Sequence, residues 1–376
     1  MIDPSSFYKI LIKNKITFFS GIPDSLLKNI TAYISDNTKP NNHIIAANEG
    51  NSIALGIGYH LATNKIPLIY MQNSGLGNAV NPLLSLADKQ VYSIPMLLMI
   101  GWRGEPKTKD EPQHIKQGRV TLNLLETMKI PYQIISSDTN NLKLEKYLKN
   151  AVQKCKKNNS TFALIIKKNT FSNYKIKKKE QNFFPLSRED AIKLIINKLN
   201  KNEIVISTTG VTSRELYEYR NELKQGHKKD FLTVGGMGHA NQIALGIALQ
   251  KKNRKIYCLD GDGSLIMHMG SMGINANVNC NNYVHIVLNN GVHDSVGGQK
   301  TIGLKINLSQ IAKAVGYDYV YSADSKKKIN KYLKILSKKK GMCFLEIKIK
   351  KGFRKNLSRP KEKPKENKIE FMKYMK

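Results

Sequence analysis

One octapeptide occurs twice in this chain. Asn51-Ser52-Ile53-Ala54-Leu55-Gly56-Ile57-Gly58 returns 190 positions later as Asn241-Gln242-Ile243-Ala244-Leu245-Gly246-Ile247-Ala248, with six identities in eight. Each copy begins a helix-length stretch. A basic or polar turn, a strand-length apolar run and a Gly-rich loop follow. The two loops are Gln72-Asn73-Ser74-Gly75-Leu76-Gly77 and Asp260-Gly261-Asp262-Gly263-Ser264. Similar peptides in similar contexts predict a duplicated domain. The patterning of the chain agrees. Strand-like runs fall at 16–20, 43–47, 67–71, 95–100, 133–136 and 162–166, then at 204–207, 231–234, 256–259, 284–288, 317–321 and 343–349. Helix-length segments lie between them, as at 25–35, 49–63 and 142–156. This alternation implies parallel sheets with helical crossovers. The expected fold class is α/β, with two doubly wound parallel-sheet domains.

The 376 residues suit two domains of ordinary size. The boundaries expected are 1–168 for the first domain, 169–185 for a polar, Lys-rich linker, 186–351 for the second domain and 352–376 for a basic tail without clear periodicity. The formal net charge is +33, which raises the question of nucleic acid. Only 8 of the 61 basic residues are arginine, however, and the lysines come in runs such as 177–179 and 338–340. Nucleic-acid sites favour arginine forks and interleaved aromatics. The charge therefore reads as solvated lysine faces, and neither nucleic acid nor membrane is expected as a partner. The longest apolar run, at 94–100, is strand-sized and holds a proline. The N-terminus lacks a signal-peptide pattern. Four scattered cysteines form no CxxC pair, which excludes a disulfide scaffold and fits a cytoplasmic protein.

The stretch richest in chemistry is Gly261-Asp262-Gly263-Ser264, with Asn289-Asn290 starting 26 positions after Gly263. A strand ends in a glycine-rich loop, so backbone N–H groups can face an anion, and a helix start adds its positive end. Asp262 offers one hard oxygen. The next strand delivers Asn289 or Asn290 at its own C-terminal end, the edge where α/β sheets bind ligands. A carboxylate, an amide oxygen, a backbone carbonyl and two phosphate oxygens leave one position for water in a Mg²⁺ octahedron. A lone GDG makes ordinary turns; GDG with NN at two strand ends predicts a diphosphate–metal site.

This pattern resembles the diphosphate signature of thiamine diphosphate enzymes. Further motifs resemble the phosphonopyruvate decarboxylases in particular: Gly21-Ile22-Pro23-Asp24-Ser25, Asn48-Glu49-Gly50, Gln72 through Asn78, Gly101 through Pro106, Lys109 through His114, Gly235 through Ala240, and Asn289 through Gln299. The sulfopyruvate decarboxylases share much of this pattern. The resemblance implies the thiamine diphosphate-binding fold, with an N-terminal pyrimidine domain, a C-terminal diphosphate domain and no central third domain. It also implies thiamine diphosphate and Mg²⁺ as cofactors, and a homodimer or larger assembly with sites at the subunit interface.

The same resemblance distributes roles. Glu49 pairs with the aminopyrimidine ring and drives proton removal; read without it, Glu49 is a charge at a helix N-terminus. Met237 wedges the cofactor into its bent form, beside the Gly235 carbonyl. Thr209, Gly210, Val211 and Thr212 join Gly261, Gly263, Ser264 and Asn290 around the diphosphate. The metal falls to Asp262, Asn290 and the Val292 carbonyl, with Asn289 and Gly291 as the close alternative. Asp24, His114, His293 and Asp294 are candidate acid/base groups. Arg103, Lys109 and Arg119 are candidate anion clamps, and Ser295 sits in a Gly-rich stretch able to close over substrate. The implied reaction is decarboxylation of 3-phosphonopyruvate to phosphonoacetaldehyde and CO₂ in phosphonate biosynthesis. The alternatives are sulfopyruvate, giving sulfoacetaldehyde, or another 2-oxo acid. Fusion of both domains in one chain favours the phosphonate enzyme.

Overall fold

The computed structural model describes residues 1–177, 184–278 and 280–376, and the chain divides into two units, Met1–Glu180 and Gln181–Lys376. Positions 178–183 of the expected linker lie outside the described residues.

The first unit carries six parallel strands: β1 (Phe19–Gly21), β2 (His43–Ile45), β3 (Leu68–Gln72), β4 (Met96–Gly101), β5 (Tyr132–Ile135) and β6 (Thr161–Ile166), in the order β2-β1-β3-β4-β6-β5. β4 and β6 are buried along their whole length, as strands covered on both faces must be. That is why they read as continuous apolar runs rather than as alternation. The second unit carries β7 (Ile204–Ser207), β8 (Asp230–Leu232), β9 (Ile256–Gly261) and β10 (Asn282–Asn289). A short antiparallel hairpin, β11 (Val292–His293) and β12 (Gln299–Lys300), comes next, then β13 (Tyr319–Ala323) and β14 (Gly341–Lys348). Its main sheet runs β13-β14-β10-β9-β7-β8. With the hairpin set aside and the six strands counted in chain order, both sheets have the same order, 2-1-3-4-6-5.

The repeated octapeptides occupy equivalent helices, Glu49–Thr63 and Ala240–Gln250, each crossing from the second strand to the third. The first begins where Asn48 accepts from the Asn51 N–H and ends at left-handed Asn64. The loops that carry the motifs then leave the third and fourth strands at their C-terminal ends. Duplication thus places both sets of candidate residues at the same edge of two copies of one sheet.

Two segments outside the expected domains are ordered parts of the units. Ile2 bridges to Phe171, and Phe171 meets Phe7 edge-on with centroids 5.1 Å apart, so the chain just past 168 belongs to the first unit. The basic tail holds a helix, Pro364–Met375, whose Phe371 and Met375 are buried in the second core. Asn367 of this helix donates to Asp230 O at 2.9 Å and accepts from Leu232 N at 3.2 Å, covering the backbone of edge strand β8. The four cysteines are free and buried. Among the described residues, no helix is long and apolar enough to cross a membrane.

Candidate active site

In the first unit, Glu49 opens its helix from a buried position. Asn78 Nδ2 donates to Glu49 Oε2 at 2.8 Å. Glu49 Oε1 faces Gly75: a Cβ there would lie 2.3 Å from it, so only glycine leaves it room. Burial raises the Glu49 carboxyl above its usual range, against the Asn78 hydrogen bond. A buried carboxylate with one oxygen anchored is built to hold a proton at a fixed place.

Beside the ends of β1 and β4, Asp24 is fully buried. Its Oδ2 accepts from Leu26 N at 2.7 Å and Leu27 N at 3.1 Å, while Oδ1 has no partner. Burial pushes Asp24 up to about 6. Glycine at 101 is required here too, because a Cβ would stand 2.3 Å from Asp24 Oδ2. Arg103 donates to Ser25 Oγ at 2.8 Å and forms a two-pronged ion pair with Asp110, with Nε to Oδ2 at 2.8 Å. Asp110 also accepts from Gly104 N and Glu111 N, each at 2.8 Å, so the fork is rigidly mounted. Asn73 ties in the Arg103 backbone, with Nδ2 to Arg103 O at 2.8 Å and Oδ1 from Arg103 N at 3.1 Å. His114 is buried with Nδ1 unpartnered; burial, then the charge of Arg103, holds it down to about 4, so it is neutral at pH 7.

In the second unit, β9 ends at Gly261 and helix Asp262–Met267 begins at once, so Asp262 sits at its first position. Asp262 accepts from Thr301 Oγ1 and, at 3.4 Å, from Asn290 N. Burial pushes it up to about 6 despite the Thr301 hydrogen bond. β10 delivers Asn289 and Asn290. Asn289 Nδ2 donates to Gly303 O at 2.8 Å and Glu346 Oε1 at 2.7 Å, and its Oδ1 accepts from Gly291 N at 3.2 Å. Asn290 Nδ2 donates to Asp294 Oδ2 at 2.6 Å, and its Oδ1 accepts from Val292 N at 3.1 Å. The Gly291 carbonyl is spent on Thr301 N at 2.9 Å. Gly303 leaves a cradle: a Cβ there would lie 2.5 Å from Asp262 Oδ2 and 2.8 Å from Asn289 Oδ1. A buried carboxylate ringed by amide and hydroxyl oxygens is a hard donor set that fits a divalent cation such as Mg²⁺.

Around this loop, Thr208 Oγ1 and Ser264 Oγ lie 2.9 Å apart, and Gly238 N donates to Ser264 Oγ at 3.0 Å. Gly235 N donates to Thr209 Oγ1 at 2.9 Å. Gly235, Gly236 and Gly238 all have positive φ (79°, 57° and 91°), so Met237 rides on a backbone that other residues resist. Gly210 (φ 93°) starts helix Val211–Glu222; Val211 and Thr212 are buried in its first turn, and a Cβ on Gly210 would be 3.9 Å from exposed Ser295 Oγ. His293 lies against Gly263, where a Cβ would meet its ring at 2.8 Å; burial lowers it to about 4.

The structure thus gathers Glu49 and its loop in one cluster, Asp24, Arg103 and His114 in a second, and the residues from Thr209 to Ser295 around the GDG loop in a third. It leaves Lys109 and Arg119 exposed, outside the Arg103–Asp110 fork. Asp294, expected as an acid/base group, is instead engaged with Arg188, Asn290 and Gly352. Sequence reasoning passed over Asn78, Asp110, Thr208, Thr301 and Gly303. Asn78 and Asp110 lie inside the motifs Gln72–Asn78 and Lys109–His114, whereas Thr301 and Gly303 follow the hairpin and carry no signal.

Residues 208–347 match the family described as thiamine pyrophosphate enzyme, C-terminal TPP binding domain, and residues 5–124 match thiamine pyrophosphate enzyme, N-terminal TPP binding domain. A phosphonopyruvate decarboxylase of Streptomyces viridochromogenes is 30% identical over 371 residues, covering 93% of this chain and 89% of that protein. Another from Streptomyces hygroscopicus is 30% identical over 386 residues, covering 97% and 92%. A sulfopyruvate decarboxylase of Methanosarcina acetivorans is 26% identical over 367 residues, covering 92% and 90%. Because this last match spans both domains in one chain, fusion does not separate phosphonate from sulfonate enzymes, contrary to the expectation above.

Proposed function

This chain belongs to the thiamine pyrophosphate-dependent decarboxylases, with phosphonopyruvate and sulfopyruvate decarboxylases as relatives, and from that premise we propose that it decarboxylates 3-phosphonopyruvate to phosphonoacetaldehyde and CO₂. It is a carboxy-lyase. The single observation that carries the substrate is full-length similarity at 30% identity to two phosphonopyruvate decarboxylases, against 26% for the sulfonate relative. We place the reaction in phosphonate biosynthesis, and take the working assembly as a homodimer or larger.

When bound, thiamine diphosphate supplies a nucleophilic carbon and a sink for the electron pair that CO₂ leaves behind. The chain's own residues do the rest. Glu49, with Oε2 fixed by Asn78 and Oε1 set against Gly75, holds or takes a proton at a set position. Asp262, Asn290 and the Val292 carbonyl would hold Mg²⁺. The Val292 carbonyl is chosen because the Gly291 carbonyl is committed to Thr301, and Asn290 is the amide that goes with Val292. Thr209, Gly210 and Ser264 would take the diphosphate, and the backbone at Gly235 and Met237 would face the rings. Asp24, pushed to about 6, can give or take a proton near neutral pH. His114 is neutral there and can donate or accept a hydrogen bond. Arg103, held square by Asp110, presents a fixed positive charge suited to an acidic substrate.

The test is release of CO₂ and aldehyde from purified protein with Mg²⁺ and thiamine diphosphate, offering 3-phosphonopyruvate, sulfopyruvate and pyruvate in parallel. The expected result is a clear kcat/KM preference for the phosphonate. A preference for sulfopyruvate moves the substrate and keeps the chemistry.

A further inference from the structure

Arg188 opens helix Arg188–Ile196 and is 5% exposed. Its Nη2 donates to Asp294 Oδ2 at 2.6 Å. The same oxygen accepts from Asn290 Nδ2 at 2.6 Å, and Gly352 N lies 3.1 Å from both oxygens of that carboxylate. On its other side Arg188 Nε stands 4.0 Å from Glu215 Oε2. One buried guanidinium therefore pins a carboxylate that gathers the loop after β10 and the segment after β14.

The geometry of the amide gives this contact a consequence. A carboxylate only accepts, so Asn290 must turn its Nδ2 to Asp294 and its Oδ1 the opposite way. The torsion that swings a carboxamide is soft. Without the anchor, only the Val292 N–H favours this orientation. With it, the oxygen is aimed and accepts from Val292 N. Lysine would offer a point charge without the planar fork.

We propose that Arg188 is a positioning residue of the metal centre: it fixes Asp294, which fixes the Asn290 carboxamide oxygen for the cation. The inference rests on the assignment of Asn290 to the metal made above.

The test reads Mn²⁺ affinity directly by electron paramagnetic resonance, with thiamine diphosphate in excess, alongside KM for Mg²⁺ and kcat. Arg188→Met is expected to weaken Mn²⁺ binding about 10–100-fold. Its kcat at saturating Mg²⁺ should fall far less than its metal affinity, and Arg188→Lys should recover part of the affinity. Asp294→Asn added to Arg188→Met should cost no more than the worse single variant, since both break one linkage. A folded Arg188→Met with wild-type Mn²⁺ affinity, or fully additive losses in the double variant, would overturn the proposal. Should Arg188→Met not fold, Arg188→Lys and Asp294→Asn run the same cycle. Wild-type protein that binds no Mn²⁺ alongside the cofactor sinks the metal assignment and this inference together. Wild-type binding with unaffected variants sinks the inference alone.

Discussion

At the scale of single residues, burial does the chemical work. Glu49 is a glutamate at a helix start, a position that ordinarily only complements the helix dipole. What sets it apart is loss of solvent, a side-chain amide donor and a glycine opposite its other oxygen. Glu49→Gln keeps the shape and removes the titration. Turnover should fall about 10²–10⁴-fold, with cofactor binding by calorimetry near wild type; near-normal turnover in that variant refutes the role. Glu215 shows the cost of the same physics without a catalytic return. Burial outweighs the attraction of Arg188 and pushes it up to about 7, from the ordinary 4.5 of a glutamate. The folded protein therefore binds this proton more tightly than the unfolded chain does. Stability from this group is full below about 4.5 and drains as pH rises toward 7. Glu215→Gln should raise the melting temperature over wild type at pH 8 and by much less at pH 5. An equal shift at both values would show that charge is not the cause.

At the scale of elements, glycines and short connections decide whether a motif becomes a site. Gly303 follows the β11–β12 hairpin and lets Asp262 and Asn289 approach one point. Gly303→Ala puts a methyl group within 2.5 Å of Asp262 Oδ2. Divalent-cation affinity should drop about 10–100-fold, measured by titration calorimetry with the cofactor present, while the far-ultraviolet dichroism spectrum stays unchanged. Helix Pro364–Met375 works by packing. Phe371 is 5% exposed and meets Phe231 with centroids 5.6 Å apart. Phe371→Ala should cost about 3–5 kcal/mol in urea unfolding. Asn367→Leu removes two bonds to β8 and should cost about 1–3 kcal/mol. A wild-type midpoint for either variant would mean that the tail helix is not part of the second core.

At the scale of the whole molecule, the charge and the duplication matter most. A chain at +33 repels itself, so added salt should stabilise it. Raising NaCl from about 0.02 M to about 0.5 M shortens the screening length several-fold. The melting temperature should rise with it; a fall would mean that the paired charges, such as Arg220–Asp230 at 2.9 Å, outweigh the repulsion. The duplication explains why the two sheets share a strand order and why their active edges are equivalent.

Much of this was legible in the sequence, for a physical reason. Buried parallel strands must be continuously apolar, so β7 falls at 204–207 as read and β4 within one residue of its run. Capping and a left-handed stop fix helix Glu49–Thr63 locally. The strand expected at 16–20 starts later, at Phe19, because the Ile16 N–H is spent closing the preceding helix onto Leu11 O. Local chemistry thus determined the two α/β units, the glycine loops and the residues at their strand ends. Contacts between distant segments decided the rest. The Arg188–Asp294 bond, the Gly303 cradle and the tail helix on β8 join residues that no period or motif connects. Burial and hydrogen-bond satisfaction are properties of the folded whole. Only the tertiary structure could make Asp24, Glu49 and Asp262 different from the exposed acidic residues of this chain.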